Sequence, residues 1–263
     1  MKWFYKKDKT NCVITAKKNI DSNRKTTEKI ILPKNAVVFC MSKWDTIIEE
    51  NYDYSVLTQK LPRFLGTTKV YTIKNKKDWC FLHGGAGGPQ IADTVETLNA
   101  YGVKNIVLVG LAGGFGEDVM PCDIVLASKI LCEEGTSLHY KKYTPFSYPN
   151  SPLDLDKVIS ELTKQSHKAY TGAVVTTDAC YRQSVFKETM WLKKGCICVE
   201  MESSAFTNVC NVLGITNTTF LFISDKHTLN DSANWNWAIN KTELRQNFIK
   251  SVINIVTNKK FYK

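Results

Sequence analysis

The run Asn105-Ile106-Val107-Leu108-Val109-Gly110-Leu111-Ala112-Gly113-Gly114 begins with continuous apolar residues and ends in glycines. Continuity rather than alternation predicts a strand buried on both faces, delivered into a glycine loop. Just before it, Ile91, Val95 and Leu98, with Ala92, recur at helical spacing between Gln90 and Tyr101, and Gly102 ends that helix. Upstream again, Trp79 to His83 reads as a strand running into Gly84-Gly85-Ala86-Gly87-Gly88-Pro89. Strand, helix, strand and loop in this order make a βαβ unit, so the chain is of the α/β class.

Outward from that unit the alternation continues. Ala36 to Met41 is an apolar run predicted as a strand, and Lys69 to Ile73 pairs with Trp79 to His83 as a hairpin across the polar residues 74–78. Downstream come a strand at Asp123 to Ala127, an amphipathic helix at Ser151 to Gln165 and a strand at Ala173 to Thr177. Helices at Ser204 to Leu213 and Glu243 to Thr257 follow. With no internal repeat and no Pro, Gly or Ser-rich linker, residues 35–263 are expected to form one domain carrying a packed N-terminal extension, 1–34.

Composition narrows the class. A chain of 263 residues with 43% hydrophobic content can bury a substantial core. It contains no run of about 18 apolar residues and no signal-like start, so a soluble, cytoplasmic protein with no membrane partner is expected. Nine scattered cysteines without a CxxC pair read as reduced, buried thiols, and Cys196-Ile197-Cys198 lacks the second pair that a metal site requires. The net charge of +10 raises the question of nucleic acid, but the lysines form short separate clusters rather than one stripe, which favours a solvated face. Anionic small substrates would still be attracted.

Three acids are placed for chemistry. Glu200 and Glu202 follow an apolar stretch, and Thr219 to Ile223 ends in Ser224-Asp225. Ligands of open α/β sheets bind outside the carboxyl ends of strands, where these acids are predicted to lie. A carboxylate there can accept two hydrogen bonds from a vicinal diol and stabilise positive charge on an anomeric carbon. Asp225 could give a proton to a leaving base; capping of a following segment is the alternative reading. The two glycine loops suit an anion or a sugar lying against main-chain N–H groups, or are tight turns, and neither matches a P-loop or a dinucleotide fingerprint. Tyr181, Arg182 and Gln183 could stack on and hydrogen-bond a planar heterocycle. His83 reads as structural.

Taken together, Gly85 to Pro89, Gly110-x-x-Gly113-Gly114, Glu134-Gly135-Thr136-Ser137-Leu138-His139-Tyr140, Thr177 to Tyr181, Val199 to Glu202 and Ser224-Asp225 resemble, in order and spacing, the nucleoside phosphorylase superfamily. That superfamily includes uridine phosphorylases, purine nucleoside phosphorylases and nucleosidases. The resemblance spans Ala36 to Asp225. It implies a three-layer α/β/α sandwich around a central mixed, partly barrel-like sheet, and a homo-oligomer, dimer or hexamer. It further implies that Met201 and Glu202 hold the ribose hydroxyls, that Gly110, Gly113 and Gly114 contact phosphate and sugar, and that Tyr181 to Gln183 lie near the base. Asp225 matches the acid that protonates a purine.

The departures concern phosphate. The family's Gly-Asp-Pro loop is replaced by Phe39-Cys40-Met41-Ser42-Lys43, a hydroxyl residue by Leu111 and an arginine by Leu108. Lys43 and Arg63 are the cations that could compensate, without reproducing a planar fork in the case of lysine. No match to the nucleosidases' N-terminal glutamate is found. The expected function is phosphate-dependent cleavage of a purine or pyrimidine nucleoside to free base and ribose 1-phosphate, with no cofactor besides phosphate as co-substrate. Hydrolysis, or nucleoside binding without turnover, are the alternatives.

Overall fold

A computed structural model describes residues 3–8, 10–22, 26–229, 231–237 and 241–263, with the backbone alone for 227–228 and 231–237. The first half contains α1 (Ala16–Asp21), β1 (Asn35–Cys40), α2 (Trp44–Asn51), β2 (Tyr54–Pro62), β3 (Thr67–Ile73), β4 (Trp79–His83), α3 (Gly88–Ala100) and β5 (Asn105–Gly114). Then come β6 (Ile124–Glu133), α4 (Ser137–Tyr140), β7 (Phe146–Ser147), α5 (Leu155–Lys164), β8 (Ala169–Thr177) and α6 (Val185–Lys193). The chain closes with β9 (Cys196–Glu200), α7 (Ser203–Val212), β10 (Thr216–Thr228), β11 (Asp231–Trp237) and α8 (Thr242–Val256).

One mixed sheet links all the strands. Its order is β11-β10-β6-β8-β9-β5-β1-β4-β3-β2, and β10 also pairs with β5, closing β10, β6, β8, β9 and β5 into a five-stranded barrel. β1, β4, β3 and β2 extend the sheet as a wing from β5, while β7 pairs with β6 and β11 with β10. Side chains on β1 and β5 alternate between two cores, as a strand covered on both faces requires. Ala36, Val38, Ile106 and Leu108 join Ile91, Val95 and Leu98 of α3 and Phe206 and Val209 of α7. Val37, Phe39, Val107 and Val109 face Ile47 and Ile48 of α2, Val158 of α5 and Phe248 and Val252 of α8. These are the three layers expected, around a mixed, partly barrel-like sheet.

Several boundaries differ from the sequence reading. Gly110 to Gly114 is not a loop but the second half of β5, paired with β10 from Leu221 to Lys226. Glycine suits this strand because its neighbours press on it: a Cβ at Gly114 would meet Val119 Cγ1 at 2.9 Å. Nor does the strand before Asp225 stop there, since β10 runs on to Thr228 after a register shift between Ile223 and Asp225. That excludes the capping alternative for Asp225. α2, β2 and α6 were not anticipated; of these α6 has the weakest amphipathic pattern, with only Glu188 and Trp191 buried. The thiols are free, and Cys12 and Cys180 are exposed rather than buried. Among the described residues no helix is long and apolar enough to cross a membrane.

The N-terminal segment lies on this body. α1 contacts α3, and Trp3 stacks on His139 with ring centroids 5.2 Å apart.

Candidate active site

A fork in the sheet makes the cleft. β1 is parallel to β5 and its pairing ends at Cys40 opposite Gly110. β9 runs the other way along the same edge and pairs Val199 with Gly113 and Cys198 with Gly114. The carboxyl ends of β1 and β9 therefore approach each other along β5, and between them Leu111 and Ala112 pair only with β10. Strand ends meeting in this way open a crevice lined by main chain, the topological switch point at which α/β sheets take ligands.

Glu200 and Glu202 enter this crevice from β9, and they do different things. Glu200 ends the strand and is buried. Its Oε2 accepts the N–H groups of Glu202 at 2.8 Å and Ser203 at 2.7 Å, and its Oε1 accepts the hydroxyl of Thr176. Thr176 in turn accepts the N–H of Ser204 at 2.9 Å. Glu200 thus satisfies the free donors at the start of α7 and turns its carboxylate onto the main chain. Burial raises its pKa, while these donors oppose the rise.

Glu202 occupies the position before α7, 8% exposed, and reaches across to the first glycine loop, where its Oε1 accepts the N–H of Gly87 at 2.5 Å. Gly87 has φ of 78°, a conformation that an L side chain rarely adopts, and so presents its N–H to the carboxylate. Burial first, and the charge of Glu200 second, push Glu202 up to about 8. A buried, proton-holding carboxyl at a strand end is a mark of a functional cleft.

The glycine loop carries a cation beneath it. Arg63, 9% exposed, donates through Nη1 to Thr94 Oγ1 at 2.7 Å and to the His83 carbonyl at 3.2 Å. A Cβ at Gly85 would stand 3.5 Å from that same nitrogen. His83 is structural, as expected: its Nδ1 accepts the Gly85 N–H at 3.0 Å, and burial together with Arg63 lowers its pKa. Cys40 sits among these groups. A Cβ at Gly84 would lie 2.9 Å from its Sγ, and burial with the nearby Glu202 and Glu200 carboxylates raises the thiol well above its ordinary value.

Asp225 reaches the crevice from the other side of β5. It is 8% exposed, Ser224 Oγ donates to its Oδ1 at 2.5 Å, and a Cβ at Gly113 would stand 3.1 Å from its Oδ2. Gly113 is thus the residue that lies between Asp225 on β10 and Val199 on β9. Gly110, three residues earlier, faces Cys40 and Leu221.

The other predicted residues are less enclosed. Met201 is half-buried beside Glu202, while Lys43 is exposed in the left-handed turn that opens α2, with φ of 62°. Tyr181 is 93% exposed in a short 3-10 turn with the exposed Arg182 and the half-buried Gln183. The residues just before that turn are tied to the segment preceding α4 by Asp178, whose Oδ2 accepts the Gly135 N–H at 2.8 Å. His227 lies where no side chain is described.

Sequence reasoning did not single out Thr176, Thr94, Asn208 or the side chain of Glu134. Glu134 is buried, accepts Ser204 Oγ at 2.9 Å and the Ser137 N–H at 3.0 Å, and would lie 3.3 Å from a Cβ at Gly88. Asn208 donates to Ser137 Oγ at 2.7 Å. Glu134 carried a readable signal, an acid just after an apolar strand; the neutral residues carried none, because the side chains that tie them into the cleft lie 24 to 71 residues away.

Comparison with known proteins places this cleft in a family. The model of the phosphorylase superfamily matches residues 49–257. The DeoD-type purine nucleoside phosphorylase of Clostridium perfringens is 31% identical over 183 residues, which cover 68% of this chain and 75% of that protein. The chain spans 60% of the length of further DeoD-type purine nucleoside phosphorylases that it matches. In fold, uridine phosphorylase from Vibrio fischeri is similar with a TM-score of 0.68 at 21% identity, over 86% of this chain and 90% of that one. The 5'-methylthioadenosine/S-adenosyl homocysteine nucleosidase of Campylobacter jejuni reaches 0.65 at 16% identity, over 86% and 98% of the two chains. The chain belongs to the phosphorylase superfamily, among whose members are nucleoside phosphorylases and nucleosidases.

Proposed function

We propose that this chain cleaves the N-glycosidic bond of a nucleoside by phosphorolysis, giving free base and ribose 1-phosphate. The observation that carries the reading is the buried Glu202 carboxyl facing the glycine loop, with the Arg63 guanidinium beneath that loop. A ribose lying in the crevice gives its hydroxyl hydrogens to Glu202, with Met201 against the sugar. As the bond from the anomeric carbon to the base breaks, positive charge develops on the sugar and the ionised carboxylate stabilises it. A phosphate oxygen forms the new bond to that carbon, and the electron pair of the broken bond leaves with the base.

Phosphate would be held by loop and strand amides assisted by Arg63, since main-chain donors and one buried cation can hold an anion without an arginine fork. Leu108 and Leu111 stand where side-chain contacts to phosphate are usual, and this favours hydrolysis as the second reading. The test is base release from a panel of purine and pyrimidine nucleosides, with phosphate and in phosphate-free buffer. Release only with phosphate is expected; equal release without it makes the chain a hydrolase, and binding without release in either buffer removes turnover altogether.

Asp225 is assigned the proton that a purine takes up as it leaves. Asp225→Asn is accordingly expected to lower kcat on purine nucleosides by roughly 10²-fold, the ordinary contribution of a general acid, and on pyrimidine nucleosides much less. Equal losses on both classes would remove the proton-donor role.

A further inference from the structure

Two of the lysine clusters that are far apart in the sequence are neighbours in space. The N-terminal segment crosses the start of α4 and, with the residues after it, walls a cavity of about 730 Å³. Lys6 and Lys7 contribute to one wall, and Lys141 and Lys142 to the other. Lys141 donates to Asn208 Oδ1 at 3.2 Å; among the described residues no carboxylate pairs with any of the four. Asp8, the acid next in sequence, has its Oδ1 engaged by the N–H and hydroxyl of Thr10. The cavity therefore concentrates positive charge and attracts anions.

The same walls carry aromatic faces. Phe4 is 38% exposed, Tyr143 55% and Tyr5 70%, and all three line the cavity, while Trp3 is fixed on His139. A pure anion gains nothing from exposed rings, whereas a ligand with both a π face and phosphate gains from rings and lysines together. The volume lies within the range of small-molecule sites. Concavity matters too: rings that line a recess receive a planar group, whereas a membrane anchor presents them on a protruding surface.

We propose that this cavity binds a phosphate-bearing nucleobase compound, either a free nucleotide or a stretch of single-stranded nucleic acid. It is separate from the crevice that holds Glu202 and requires no bond to be made or broken. Trp3 also lines a second cavity of about 980 Å³ with Pro89, Gly135 and Asp178, so a ligand held by the N-terminal segment sits one side chain away from the loops around the crevice.

The test is fluorescence anisotropy with a labelled U8 oligoribonucleotide on the full chain, alongside Lys6→Ala/Lys7→Ala/Lys142→Ala and Tyr5→Ala/Tyr143→Ala. All five positions are exposed, so both variants are expected to fold and to keep base release unchanged. Each should bind U8 about tenfold or more weakly, and added salt should weaken the parent as expected for phosphate contacts. Displacement by UMP or AMP at comparable concentration per base assigns the site to free nucleotides; failure of both at a large excess assigns it to single strands. Three results overturn the proposal. They are no U8 binding by the parent, displacement by tripolyphosphate as readily as by nucleotides with normal binding in the tyrosine variant, and association with phosphatidylserine vesicles but not with U8.

Discussion

Glu202→Gln is expected to fold, to release base roughly 10²–10³-fold more slowly than the parent, and to melt at a higher temperature than the parent in alkaline buffer. The rate loss follows from charge. A glutamine carbonyl can still accept the Gly87 N–H, so the loop stays in place, but a neutral amide gives little stabilisation to an oxocarbenium-like sugar. The stability gain follows from the same burial. The unfolded carboxyl ionises near 4.5 and the folded one near 8, so the folded chain holds an extra proton between these values. Stability contributed by that proton is complete below the lower value and is lost as pH rises through the upper one.

The displacement corresponds to roughly 3–5 kcal/mol, which glutamine does not lose. The melting temperatures of parent and variant should coincide near pH 4.5 and separate by about 5–10 °C above pH 8. Catalysis runs in the opposite direction: kcat/KM of the parent should rise with pH and level off above about 8. A pH-independent difference in melting temperature, or near-parent turnover in the variant, would sink the assignment of Glu202.

Glu200→Ala is expected to be the most destabilising single change in the crevice, by about 3–5 kcal/mol in denaturant unfolding. It would leave the N–H groups of Glu202 and Ser203 and the hydroxyl of Thr176 buried without their acceptor. Thr176→Val removes one of those donors along with its contact to the Ser204 N–H, and should cost about 1–2 kcal/mol. Because Glu200 acts through the placement of Glu202, a positioning role also predicts that Thr176→Val lowers kcat more than it raises KM. Glu200→Gln should recover part of the stability lost in the alanine variant, since one carbonyl oxygen remains to accept the α7 amides. If alanine and glutamine are equally well tolerated, the carboxylate does not hold this turn.

The two acids show where reading a sequence stops. Two residues apart, Glu200 and Glu202 would face the same side of a strand, and at a strand-to-helix junction no local pattern says which of them reaches the cleft. The break between β9 and α7 separates them. A carboxylate on the last strand residue meets the unpaired amides of the following helix, whereas the one two positions later reaches the glycine loop. The glycines at 110–114 were misplaced for a related reason. Glycine ordinarily punctuates local structure, but here the closing of β10 onto β5 calls for glycines within the strand, a demand that arises 111 to 112 residues further along the chain.

The sequence by itself determined what short-range periodicity can carry: the βαβ start, the continuous apolar strands, the amphipathic helices and the acids after strands. It also determined the family, through the order of six motifs. Tertiary structure alone decided that five strands close into a barrel, that β1 and β9 meet head-on to open the crevice, and that Arg63 lies under the loop beside Cys40. It also decided that lysines 135 residues apart share one cavity. Each of these depends on groups distant in sequence that come together only when burial of the two cores fixes the sheet, and no local pattern records such a meeting.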